Sequence, residues 1–199
     1  MPSDHPIQSN PKSHMDQIRW KYYCNAAYYR GAFLDLMNWI DWYLDHIIGW
    51  YLCPEKTRRT ILVDTILHNA EHMPMSNKIK LLRIILKSAQ PGEEISHKDL
   101  LKRLDLARQM RNKMAHQMLA TSADEDHMAE LVEKQQLEFM SGAEFGNRKV
   151  TQSREEREQW LGELSQLMSW LAKVFQDVGG KSAVEFGYPP PSMGYREIR

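Results

Sequence analysis

HMDQIRWKYYCNAAYYRGAFLDLMNWIDWYLDHIIGWYL, running from His14 to Leu52, contains no proline, and its reading decides the fold. Ile18, Tyr22, Ala26, Tyr29, Phe33, Leu36, Ile40, Tyr43 and Ile47 recur at steps of three and four, tracing one helical seam. A second apolar set, Leu34, Met37, Leu44 and Ile48, widens that face. Such a stretch is either one very long helix or two helices broken near Gly31, and it needs cover on two sides. The aromatic load (Trp20, Tyr22, Tyr23, Tyr28, Tyr29, Trp39, Trp42, Tyr43, Trp50, Tyr51) follows helical spacing. That favours core packing or a subunit interface over base stacking, and a second copy of the chain is one source of the extra neighbour.

Further along, Pro54 suits the first turn of a new helix running to about His72, closed by Met73-Pro74-Met75. Ser76 can cap a third helix through about Ala89, which Pro91-Gly92 stops. Ser96 with Asp99 resembles a capping box opening a helix from Ser96 to about Leu119. Residues 120–152 are the least regular part: Ala123-Asp124-Glu125-Asp126 reads as an acidic loop. Gly142 and Gly146-Asn147 are turn signals around which a short hairpin can form. Ser153 with Glu156 is a capping box for a last helix bearing Trp160, Leu164, Leu167, Leu171 and Val174, stopped by Gly179-Gly180. The expected fold class is all-α, an antiparallel helical bundle of about five helices with a small β-hairpin insert before the last one. Residues 1–13, with Pro2, Pro6 and Pro11, form a lead-in, residues 14–178 one helical domain, and residues 179–199 a Gly/Pro-rich tail.

The 199 residues hold 26 Lys and Arg against 26 Asp and Glu, so no global charge draws the chain to nucleic acid or to anionic lipid. A polyanion partner would need a local basic patch. Cys24 and Cys53 have no metal-site spacing, and without a signal peptide they read as reduced thiols of a cytoplasmic protein. The apolar stretch Trp39–Leu52 is interrupted by Asp41, Asp45 and His46, and no uncharged run spans the roughly 18 residues of a transmembrane helix.

Within the helix from Ser96 to Leu119, Leu100, Leu104, Ala107, Met114 and Met118 make an apolar stripe. At about 100° per residue, Arg111 falls inside it, between Ala107 and Met114. A guanidinium there calls for a charge, a ligand or a second subunit. His116 follows five residues later, about 140° round the axis. Such a pair converges more readily when a second copy supplies one of the two groups.

Arg111-Asn112 followed by His116 closes an R-x4-H motif late in a helix of a small antiparallel bundle, and the chain resembles the HEPN superfamily. The order of helices agrees, as does Met75-Ser76-Asn77-Lys78-Ile79-Lys80-Leu81-Leu82, which resembles the lysine-bearing start of the helix before the motif. The resemblance covers roughly residues 15–178. It implies a metal-independent endoribonuclease, without cofactor, whose homodimer assembles a composite site from Arg111, Asn112 and His116. Such a site cleaves single-stranded RNA by attack of the 2′-hydroxyl, and its owners include toxins and defence or stress effectors. His116 suits general acid–base work near neutrality, and Arg111 suits holding a phosphate. Some HEPN toxins carry a tyrosine two positions after the histidine, where this chain has Met118, so control by tyrosine modification does not carry over. An antitoxin or regulatory protein would be a separate chain. The alternative is a non-catalytic HEPN-like dimer serving as a regulatory or interaction module.

Two other signals bear on partners. Lys102, Arg103, Arg108, Arg111 and Lys113 stand against Asp105 alone, and Lys78, Lys80, Arg83 and Lys87 add a second basic row. From these, Arg108, Lys113, Lys78, Lys80 and Arg83 are the candidate RNA contacts. His68-Asn69-Ala70-Glu71-His72 matches the H-x-x-E-H zinc-peptidase pattern, but it lies at the end of a helix before Pro74 with no third acidic ligand in view. No metal is expected there.

Overall fold

A computed structural model describes residues 13–89, 94–116, 118–120, 124–140 and 149–179. The protein is an all-α bundle with one small antiparallel sheet placed before the last helix. In chain order the elements are α1 (His14–Leu52), α2 (Lys56–Leu62) extended by a π-helical turn (Val63–Leu67), α3 (Met75–Ala89), α4 (Glu94–His116) and β1 (Met118–Leu119). They are followed by α5 (Glu125–Glu133), β2 (Leu137–Met140), β3 (Lys149–Gln152) and α6 (Arg154–Asp177). The first helix is unbroken through Gly31, where an added Cβ would meet nothing within 4 Å. The expected lead-in and tail lie outside the described residues, apart from Ser13 and the last turn at Val178 and Gly179.

The contacts divide the chain into two compact units. Among the described residues, one takes those within 13–30 and 116–157, and the other those within 31–115 and 158–179. In the larger unit, Phe33, Leu36, Ile40, Leu44, Ile47 and Ile48 of α1 are buried, so this part of the helix is covered on both of its apolar faces. The remaining core comes from Ile79, Leu82, Ile85 and Leu86 of α3, Leu101, Leu104 and Ala107 of α4, and Leu164, Leu167, Leu171 and Phe175 of α6. Gly49 is small for a steric reason, since a Cβ there would lie 2.7 Å from Val63 Cγ2. Trp42 stacks on His46 at 3.8 Å, both rings against the buried Phe175, and Arg59 of α2 lies 3.6 Å over the Trp50 ring.

In the smaller unit, β2 is the middle strand, paired antiparallel to β1 and to β3. Tyr22, fully buried, fastens α1 to the sheet: its hydroxyl accepts from the Glu138 N–H at 2.9 Å and donates to the Ala120 carbonyl at 3.2 Å. Burial raises its pKa and keeps the phenol neutral. Arg157, also buried, donates to the carbonyls of Gln152 and Gln135 and lies over the Tyr29 ring. Gln135 itself adopts a left-handed φ of 51°, the conformation that ends α5 and turns the chain into β2.

Several boundaries differ from the sequence expectation. The second helix ends at Leu67 rather than His72, with Glu55 capping the N–H groups of Thr57 and Arg58. Ser76 and Ser96 lie inside helices rather than at their caps. The acidic loop is a helix start: Asp124 caps the N–H groups of Asp126 and His127 and opens α5. With that short helix and β1, the described residues hold six helices and three strands where about five helices and a hairpin were expected. The hairpin strands are present, and the turn residues 141–148 lie outside the described residues. The Ser153–Glu156 box forms in both directions, at 2.8 and 3.2 Å. Gly179 takes a φ of 92° after the last helix, a geometry that glycine supplies without strain.

Candidate functional site

Helix α4 turns His97, Leu101, Leu104, Ala107 and Met114 inward. Arg111 lies four residues after Ala107 and three before Met114, on the same side of the helix, yet it is exposed. The reason is local: at this level the helix faces a pocket of about 170 Å³ rather than packed side chains. Arg108, Arg111 and Asn112 form its α4 wall. Met37, Asn38 and Asp41 of α1 form another, and the turn and helix start from Ala70 to Ser76 form the rest. Arg111 thus holds the angular position within the apolar stripe that its spacing predicts, and there it meets the pocket.

The charges lining this pocket are unequally engaged. Arg108 Nε donates to Asp105 Oδ1 at 2.9 Å, and that bond holds the Asp105 carboxyl below its usual range, with Arg83 adding to the effect. Asp41 accepts from Lys78 Nζ at 2.9 Å. Among the described residues, the side chains of Arg111 and Asn112 have no ion pair or hydrogen bond. Arg111 is thus the cation of this pocket whose donors are uncommitted within the described chain.

Behind Asp41 lies a buried charge cluster that the sequence reading missed. Lys78, 1% exposed, places its ammonium 2.6 Å from Asp45 Oδ1 and 2.9 Å from Asp41 Oδ1, and Asp45 is fully buried. Burial holds the Asp45 carboxyl above its ordinary range, and the neighbouring ammonium offsets part of that rise. The available signal was the interruption of the apolar stretch Trp39–Leu52 by Asp41 and Asp45, four residues apart and so on one face.

The remaining candidates divide. Lys80 and Arg83 of α3 and Lys113 of α4 are exposed, as an RNA contact requires, and Arg108 is half-buried at the pocket wall. Lys78 is a correction: it faces two carboxylates in the interior and presents no ammonium to a phosphate. His116 closes α4, and its side chain, like that of Met118, lies outside the described residues. In the H-x-x-E-H segment, His68 Nδ1 lies 3.4 Å from Asp45 Oδ2, and Glu71 and His72 are exposed in the following turn. Among the described residues no group of three His, Cys, Asp or Glu side chains is placed to hold a metal ion. No described helix is long and apolar enough to cross a membrane.

The chain matches no protein-family model, and neither the curated proteins nor the solved structures include one that is similar to it.

Proposed function

We propose that the protein is a metal-independent endoribonuclease of HEPN type, a cytoplasmic homodimer in which Arg111, Asn112 and His116 of two copies make a composite site. The observation that carries this reading is Arg111 itself. It sits on the inward side of α4, exposed beside a pocket and without a partner among the described residues. An arginine so placed offers its planar fork to a phosphate. Asn112 follows it on the same pocket wall.

The chemistry follows from the residue types. An imidazole takes the proton from a ribose 2′-hydroxyl, and the freed oxygen forms a bond to phosphorus. The bond from phosphorus to the 5′-oxygen breaks, and the leaving oxygen takes a proton from water. His116 of one copy would supply the base, while Arg111 of the other neutralises the charge gathering on the phosphoryl oxygens. The products are a 2′,3′-cyclic phosphate and a 5′-hydroxyl. Arg108, Lys113, Lys80 and Arg83 would hold the flanking strand. A toxin or a defence or stress effector, restrained by a separate antitoxin or regulatory chain, is the cellular role that suits such an activity.

Single-stranded RNA incubated with the protein in excess EDTA is expected to be cut to fragments ending in cyclic phosphate, and His116→Ala to leave it whole. Equal residual cleavage by the two proteins would overturn the proposal.

A further inference from the structure

The pocket beside Arg111 carries a carboxylate that phosphate binding does not use. Asp41 stands on its α1 wall, with a side chain 36% exposed. Its Oδ1 is taken by Lys78, and Lys78 is in turn fixed by Asp45 at 2.6 Å with almost no exposure of its own. A surface aspartate ordinarily swings in water, but this one is anchored through a buried ammonium and is a preformed acceptor. An ionised carboxylate repels a phosphate and accepts only from hydroxyl or N–H donors. The pocket therefore has guanidinium donors on α4, Arg111 and Arg108, and a carboxylate acceptor, Asp41, on α1.

We propose that Asp41 selects ribose: it accepts a hydrogen bond from the 2′-hydroxyl of the nucleotide whose 5′-phosphate lies on Arg111, a hydroxyl distinct from the one that attacks phosphorus. A ribonucleotide presents an anionic 5′-phosphate and a 2′-hydroxyl donor on the same sugar, and a deoxyribonucleotide lacks that donor. This inference rests on the ribonuclease reading and adds to it the residue that separates RNA from DNA. Asp41 acts here as a specificity residue and transfers no proton, its Oδ1 being held by the Lys78 ammonium.

The test uses the full chain carrying His116→Ala, so that RNA stays intact, and compares binding of a short single-stranded RNA with DNA of the same sequence in EDTA. With Asp41 present, RNA is expected to bind at least about tenfold more tightly, the scale of one hydrogen bond to a charged group. Asp41→Asn should cut that ratio to about twofold by weakening RNA binding alone. Asp45 still balances Lys78 in this variant, so the fold is expected to persist, and Asp41→Ser reads the same ratio if Asn is not tolerated. An unchanged ratio, or no preference in the parent, overturns the role of Asp41 while leaving RNA cleavage by the wild type to stand. Failure to bind either oligonucleotide, together with no cleavage by the wild type, overturns the ribonuclease reading and this inference with it.

Discussion

Arg111→Ala is expected to lower RNA cleavage by about 100- to 1,000-fold, the usual consequence of removing one preorganised donor from a charge-building transition state. The same change should leave the melting temperature within about 2 °C of the wild type. The two halves of that result come from one structural fact. Arg111 is exposed and, among the described residues, holds nothing together, so its loss exposes no buried partner and breaks no ion pair. Arg111→Lys keeps the charge but loses the bidentate fork, and an intermediate rate is expected. Parallel RNA-cleavage assays and thermal melts check both halves. A large drop in melting temperature would show that the arginine holds the fold, and equal cleavage by the variant would remove it from the site.

Lys78→Met should have the opposite signature, a loss of about 3–5 kcal/mol in stability, the usual cost of removing one partner of a buried ion pair. Lys78 is 1% exposed and answers two carboxylates, one of them fully buried. Without the ammonium, Asp45 has to ionise in the interior or bind a proton. Burial already raises the Asp45 pKa above its ordinary 3.8. A raised carboxyl contributes stability that is fully present below 3.8 and is lost as pH rises through the folded value. Removing Lys78 raises that folded value further, so the deficit against wild type should be largest at alkaline pH and should narrow as pH falls toward 3.8. Denaturant unfolding across that range checks it. A deficit that grew on acidification would contradict the account.

These two residues also show how far the sequence could be read. Both are cations on the inward side of a helix. Lys78 lies four residues before Leu82 and seven before Ile85, as Arg111 lies four after Ala107 and three before Met114. Periodicity gives the angle of each and cannot tell what faces it across the core. For Lys78 the answer is two aspartates on α1, so a residue expected to contact RNA proves to be structural. For Arg111 the answer is a pocket formed by segments 70–76 and 37–41, far from it in sequence.

Local signals carried the fold further. The seam from Tyr22 to Ile47 is buried residue by residue, because a two-sided apolar helix has few alternatives to the interior. The Ser153–Glu156 box is legible because its two hydrogen bonds are local to the chain. Helix α5 escaped notice because it is nine residues long and its cap, Asp124, sits in an acidic run that reads equally well as a solvated loop. The carboxylates Asp41 and Asp45 were visible as interruptions of an apolar run, yet their meaning depends on Lys78 arriving from a different helix.

The composite site is the central claim, and mixed dimers test it most directly. Arg111→Ala and His116→Ala chains, each inactive alone, are to be unfolded together, refolded as a mixture and assayed for RNA cleavage in EDTA. If each site takes Arg111 from one copy and His116 from the other, half of the dimers are mixed and each keeps one intact site. Cleavage should then return to about a quarter of the wild-type rate. A mixture as inactive as its two parents would contradict the account.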